Sequence, residues 1–207
     1  MRRIRQFIKM VKYQRQIRAL VSTQLSILED EGSFALGGLT EEEENAVRLL
    51  VLSCEKEEAQ SSCVVEFGTL FGLTTILLAQ HKPLGMKVIT VDNFCWNPFG
   101  LTPEMHRDFT RRILRAQIAQ GDVELVATDS KVFRTQYNGR VPRMVFFDAD
   151  HSCEAVRDEI AWAKKIAVPL ISGHDYGNSK FGVTRAVDEA FPHGVHVCGT
   201  VWWVHNV

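Results

Sequence analysis

The stretch Val64-Val65-Glu66-Phe67-Gly68-Thr69-Leu70-Phe71-Gly72, followed by Leu73-Thr74-Thr75-Ile76-Leu77-Leu78-Ala79, constrains the fold more than any other part of the chain. An apolar run of β character ends in an acid, two glycines follow four residues apart, and a helical pattern begins. That order specifies a strand, a tight turn and a helix, which together open a doubly wound nucleotide-binding sheet. Glycine serves where the backbone turns with positive φ, or where a ligand presses against it. The acid narrows the ligand class. A carboxylate at this turn repels a pyrophosphate, so Glu66 argues against NAD and for a group that is cationic or neutral there.

The rest of the chain continues the alternation. Thr40 is placed to cap a helix, with Glu43 completing a capping box, and that helix is expected to run to about Glu57. Strands are expected at Cys63–Glu66, Lys87–Val91, Val123–Ala127, Arg143–Phe147 and Val168–Ser172. Helices are expected up to His81, from Pro103 to about Gln120, after Ser152 and from Val183 to about Phe191. Val195–Cys198 and Val201–Val204 flank Gly199-Thr200 and read as a hairpin. The expected fold is therefore α/β: a Rossmann-like, doubly wound, mostly parallel seven-stranded sheet closed by an antiparallel C-terminal hairpin.

At 207 residues the chain accommodates one such domain, assigned to residues 40–207. Residues 1–39 form a separate basic segment and linker. Arg2, Arg3, Arg5, Lys9, Lys12, Arg15 and Arg18 occur without any acid in residues 1–28, so a chain of net charge −1 carries −8 in its remainder. Ile4, Phe7, Ile8, Val11, Ile17, Val21, Leu25 and Leu28 recur at helical spacing, which makes this a basic amphipathic helix. A membrane-surface contact, a transit peptide, a cover over the active site and a simply packed leading helix all fit that pattern. A nucleic-acid partner is not expected, because no aromatic platform accompanies the charge. No apolar run approaches the ~20 residues of a membrane span. The five cysteines lack a Cys-x-x-Cys pair, which suits free thiols in a reducing, cytoplasmic setting and disfavours zinc.

Ligands of an open α/β sheet sit beyond the carboxyl ends of its strands. The five expected ends carry Glu66, Asp92, Asp129, Asp148 and Asp175. Asp92 follows Glu66 by 26 residues, where a carboxylate accepts hydrogen bonds from the two ribose hydroxyls of a nucleoside. The form Glu-x-Gly-x-x-x-Gly resembles the first motif of class I S-adenosylmethionine (SAM)-dependent methyltransferases. Asp148-Ala149-Asp150-His151, Gly173-His174-Asp175-Tyr176 and Gly182-Val183-Thr184-Arg185-Ala186-Val187-Asp188 resemble the small O-methyltransferase branch that acts on sugars, macrolides and related metabolites. The likeness runs from about residue 62 to residue 191. It departs where Ile166-Ala167-Val168-Pro169 replaces a glycine pair before strand five.

The resemblance implies SAM as cofactor and transfer of its methyl group to a hydroxyl of a small metabolite, with Mg²⁺ assisting. It places Glu66, Phe67, Gly68 and Gly72 at the turn beside the amino-acid part of SAM, Asp92 and Asn93 at the ribose, and Asp129 and Ser130 at the adenine. Asp148 borders both cofactor and acceptor. Asp148 and Asp175 match the metal-holding acids of the catechol O-methyltransferase type, with Tyr176 standing where those enzymes often carry a side-chain amide. His151 is the candidate general base, Asp148 and His174 the other candidate catalytic residues. Trp96 to Phe99 and Tyr176 could wall the adenine or the acceptor. A non-catalytic SAM-binding protein and a NAD-dependent oxidoreductase stand as alternatives. So small a domain leaves the acceptor pocket to be completed by the leading helix, the 95–102 loop or a second subunit, which makes a homo-oligomer plausible.

Overall fold

The computed structural model describes residues 39–54, 62–96 and 101–206, and the basic segment, the Gly32–Gly38 connection and residues 97–100 lie outside them. In chain order the described elements are α1 (Glu41–Leu52), β1 (Cys63–Phe67), α2 (Leu73–His81), β2 (Lys87–Asp92), α3 (Pro103–Ile113), α4 (Arg115–Gln120) and β3 (Val123–Ala127). They continue with α5 (Ser130–Gln136), β4 (Met144–Phe147), α6 (Cys153–Lys165), β5 (Leu170–Gly173), α7 (Val183–Ala190), β6 (His196–Cys198) and β7 (Val201–His205). The seven strands form one sheet in the order β3-β2-β1-β4-β5-β7-β6. β1 to β5 are parallel, and β7 runs antiparallel to both β5 and β6. The expected architecture is present in full.

The period of two along each strand divides the core between the faces. Val64, Val88, Val123, Met144 and Phe146 meet α1, α2 and α4 on one face. Val65, Phe67, Val145, Ile171 and Trp202 meet α6 and α7 on the other. Because β1 is flanked by β2 on one side and β4 on the other, the chain reverses its direction of winding there. The crevice beyond β1 and β4 is the switch point where such sheets bind ligands.

Local differences from expectation have physical causes. α1 stops at Leu52 rather than near Glu57, because the Ser53 hydroxyl and amide turn back onto the carbonyl of Leu50. The expected single helix from Pro103 to Gln120 breaks at Leu114 (φ −81°, ψ 5°), a fully buried side chain that packs against Gly72. α5 was not anticipated. None of its seven residues is buried, so no apolar period announces it. Among the described residues no helix is long and apolar enough to cross a membrane.

Candidate active site

The turn after β1 is built by contacts within the protein. Gly68 has φ 92°, and a Cβ there would lie 2.0 Å from the Asp148 carbonyl oxygen. The Asp148 amide donates to the Phe67 carbonyl at 2.8 Å, and the Gly68 amide donates to the Val91 carbonyl at 2.9 Å. The ends of β1, β2 and β4 thus meet at a point that only glycine fits. Gly72 (φ 85°) begins α2, and a Cβ there would meet the Leu114 side chain at 2.8 Å. Between them Leu70 takes φ 45°, a strained value for a side chain with a Cβ. Two residues of α3 hold it there: the Thr110 hydroxyl donates to the Leu70 carbonyl at 2.6 Å, and His106 Nε2 donates to the same oxygen at 3.0 Å. The His106 ring lies against Phe71 (4.9 Å) and Phe94 (5.2 Å), and burial holds its pKa below the usual value. It stays neutral and serves as a donor.

Asp92 completes this clamp. Its Oδ2 accepts from the Thr69 amide (2.9 Å) and the Leu70 amide (3.0 Å), and its Oδ1 accepts from the Phe94 amide (2.6 Å). Two carboxylate oxygens offer about four acceptor sites, so capacity remains for a ribose hydroxyl. Asn93 Oδ1 accepts from the Cys95 amide at 2.9 Å and shapes the next turn. Asp129 is exposed and caps α5 through the Lys131 amide at 2.9 Å, with Ser130 half-buried as the first helical residue.

Glu66 is not exposed in the crevice. It shares the strand face of Val64, is fully buried, and accepts from the Thr75 hydroxyl of α2 at 2.5 Å. Its Oε1 has no hydrogen-bond partner among the described residues. Burial pushes its pKa up to about 8, against the pull of the Thr75 and Thr90 hydroxyls and with a further push from Asp148 and Asp92. The carboxyl group is neutral over most of the physiological range.

The ends of β4 and β5 converge. His151 Nε2 lies 3.3 Å from Asp148 Oδ1 and 3.3 Å from Asp175 Oδ2. His174 Nδ1 lies 3.6 Å from each of the same two oxygens, and its Nε2 faces Glu43 Oε1 at 3.5 Å. Burial opposes charge on His174, but its contacts to Asp148 and Asp175 outweigh it and push the pKa up to about 10. His151 shifts upward for the same reasons, burial opposing and Asp148 prevailing. Burial would raise Asp175, yet His174 and Asn178 hold it below the usual carboxylate value. Phe181 packs its ring on the His151 imidazole at 4.5 Å, and the Gly182 amide donates to the His151 carbonyl at 2.8 Å, which holds the backbone there. The donor set of two carboxylate oxygens and imidazole nitrogen suits a divalent cation. Asp148, His174 and Asp175 are the one such group among the described residues.

No family model matches the chain. Rhamnosyl O-methyltransferases of Mycobacterium bovis and Mycobacterium tuberculosis are 30% identical to it over 122 residues, 58% of this chain and 45% of theirs. The chain spans about half the length of these curated relatives. Among solved structures, an O-methyltransferase from Bacillus cereus in complex with SAH superposes with a TM-score of 0.61 at 20% identity, covering 89% of this chain and 90% of that one. The tomaymycin-synthesis O-methyltransferase of Streptomyces achromogenes, solved with SAM, gives 0.59 at 16% identity over 82% of each chain. The chain has the class I methyltransferase fold.

Within that fold the sequence-predicted residues fall into two groups. Phe67, Gly68, Asp92 and Asn93 gather around the turn at the switch point, and Asp148, His151, His174 and Asp175 gather at the ends of β4 and β5. Gly72 faces Leu114, Asp129 faces solvent, and Glu66 lies beneath α2. Tyr176 donates its hydroxyl to Asp188 at 2.8 Å and packs beside the α6–α7 core. Asp150 accepts from the Ser152 amide and shapes the entry to α6, and Trp202 and Trp203 pack in the sheet. Sequence reasoning missed His106 and Thr110, which no motif marks. It read Glu43 only as a capping residue, whereas Glu43 also accepts from the Thr200 amide (2.8 Å) and hydroxyl (2.7 Å) and reaches His174.

Proposed function

We propose that the chain is a SAM-dependent O-methyltransferase acting on a hydroxyl of a small, sugar-containing metabolite. The observation that carries the reading is the meeting of Asp148, His151, His174 and Asp175 directly beside the Gly68 turn. It puts groups that can hold a hydroxyl and take its proton next to the crevice where this fold binds its ligand. The rhamnosyl O-methyltransferase likeness supports a sugar-containing acceptor, and the SAH- and SAM-bound fold relatives support the methyl donor.

SAM supplies a methyl carbon already activated by a positive sulfur. The chain then has to align the acceptor, exclude water and accept a proton. In this reading the backbone of Phe67 and Gly68 seats the amino-acid part of the cofactor, Asp92 accepts from the ribose, and Asp129 with Ser130 borders the adenine. His151 takes the acceptor proton on Nδ1. Asp148 and Asp175, both 3.3 Å from Nε2, accept from that nitrogen and stabilise the imidazolium that results. Asp148 and Asp175 would hold a divalent cation, which when bound makes an acceptor hydroxyl more acidic. His174, already carrying its proton between three carboxylates, is the poorer base. The leading helix and residues 97–100 of the 95–102 loop, expected to help complete the acceptor pocket, lie outside the described residues, and a second subunit is the remaining candidate. The five free cysteines suit a cytoplasmic setting.

Calorimetry with SAM and with NAD, followed by transfer of labelled methyl from SAM to rhamnose-containing and other hydroxylated acceptors, tests the reading. SAM binding with transfer to a sugar hydroxyl is expected. Binding of NAD without SAM would refute it, and SAM binding without transfer to any acceptor class would favour a non-catalytic role.

A further inference from the structure

The Asp148–Asp175 pair has only two carboxylates, and Tyr176, at the place of the amide that often completes such sites, is committed to Asp188 at 2.8 Å. His174 stands in its stead. Its Nδ1 is 3.6 Å from Asp148 Oδ1 and 3.6 Å from Asp175 Oδ2, and the ligand atoms of all three residues lie within 4.8 Å of one another. Neighbouring ligands on an ion with bonds of about 2.1 Å sit roughly 3.0–3.4 Å apart. The two imidazole–carboxylate separations are therefore within a few tenths of an ångström of that spacing. Asp175 is held at φ 64°, a strained value for a residue other than glycine, while the Tyr176 amide is tied to the Thr200 carbonyl at 3.0 Å.

The second side of His174 carries the stronger indication. A metal-ligating imidazole usually gives its other N–H to a carboxylate, which fixes tautomer and ring plane. Glu43 Oε1 faces His174 Nε2 at 3.5 Å, and that nitrogen makes no hydrogen bond among the described residues. Glu43 is itself immobilised, by the Thr200 amide and hydroxyl at Oε1 and by the Thr40 amide at Oε2 (2.9 Å). A carboxylate held rigidly behind an imidazole, with two further carboxylates in front, is the layout that a carboxylate–histidine–metal relay requires.

We propose that Asp148, Asp175 and His174 Nδ1 bind a first-row transition-metal dication in preference to Mg²⁺, and that Glu43 is the positioning residue that orients His174 for it. Mg²⁺ takes hard oxygen ligands, whereas one imidazole beside two carboxylates moves the site toward Mn²⁺, Co²⁺ or Zn²⁺. The inference rests on the same reading of the β4–β5 cleft as the proposed function, but not on methyl transfer taking place.

The test uses chelator-treated full-length protein without SAM. Calorimetry with CoCl₂ and MgCl₂ on the wild type, His174→Ala and Glu43→Gln reads affinity, and pulsed EPR of the Mn²⁺-loaded protein reads nitrogen coupling. His174→Ala and Glu43→Gln are each expected to lower Co²⁺ affinity about 10–100-fold. Mg²⁺ affinity should stay within about twofold in His174→Ala, and its imidazole coupling should vanish. Circular dichroism establishes that each variant is folded, and His174→Asn serves if His174→Ala is not. Equal losses for both ions, or nitrogen coupling that survives in a folded His174 variant, overturn the inference. Metal binding as expected without methyl transfer sinks the proposed function and leaves the inference standing. Transfer from SAM by protein that binds neither ion does the reverse.

Discussion

Glu66 offers the cleanest quantitative test, because its carboxyl group is sealed between β1, β2 and α2 with one oxygen unpartnered among the described residues. Burial raises its pKa from 4.5 to about 8. An acid with a raised folded-state pKa favours folding most when both states are protonated. Below pH 4.5 that contribution is therefore fully present. Between pH 4.5 and about 8 the unfolded chain ionises while the folded one resists, and stability falls as pH rises. The interval from 4.5 to about 8, at about 1.4 kcal/mol per pH unit, caps the loss at about 5 kcal/mol. Relaxation and water entry bring a realistic figure to about 2–4 kcal/mol. Glu66→Gln keeps the shape and an acceptor for the Thr75 hydroxyl but cannot ionise. It should be slightly less stable than wild type near pH 5, since its amide buries a second unpartnered polar group at about 1–3 kcal/mol. At pH 8.5 it should be the more stable of the two. Urea unfolding of both proteins at half-unit steps from pH 5 to 8.5, at constant ionic strength, gives the difference curve, in which titrations common to both proteins cancel. Parallel pH profiles would refute the assignment of a neutral, buried Glu66.

Gly68→Ala should cost about 3–5 kcal/mol in urea unfolding, because its Cβ would stand 2.0 Å from the Asp148 carbonyl and φ is 92°. Gly121→Ala, at φ 78° with open space around it, should cost only about 1–2 kcal/mol, and similar costs at the two sites would refute the close approach of the β1 and β4 ends at Gly68. Asp92→Ala removes three acceptor contacts to the turn and should weaken SAM binding by at least about 100-fold in calorimetry, since each charge-assisted bond contributes about 1.5–3 kcal/mol. Undiminished SAM affinity would count against it as both clamp and ribose acceptor. Asp148→Ala should lower kcat far more than SAM affinity, and an equal loss confined to affinity would argue against its role at the acceptor.

The distribution of the five strand-end acids shows what a sequence exposes and what it conceals. The alternation of β-branched runs with amphipathic stretches, and a hairpin at the end, made the seven-stranded sheet readable, because periods of 2 and 3.6 are local properties. The acids share a position in their motifs but not a fate. Asp148 and Asp175 converge, Asp92 pins a turn, Asp129 caps α5, and Glu66 lies beneath α2. For Glu66 the signal was available: it has the same parity as Val64, so the pleat turns it toward the helix layer. For Leu114 it was not, since the break between α3 and α4 depends on a glycine 42 positions earlier.

Glu43 marks the boundary most sharply. Its capping box with Thr40 is written in four consecutive residues and was legible. Its grip on Thr200, 157 residues away, and its approach to His174 exist only once β5 and the β6–β7 hairpin have been folded against α1. The same contrast divides the two halves of the cleft. The proposed cofactor side centres on the β1 turn and on Asp92 at the end of β2, whose glycines and acid lie within thirty residues, so that reading was direct. The acceptor side draws on α1, β4, β5, the loop around Phe181 and the hairpin turn. Asp148, His151, His174 and Asp175 lie in two compact motifs and were legible, but the surroundings that would select an acceptor come from distant segments, which is why the proposed methyl donor could be read from the chain while the identity of the acceptor could not.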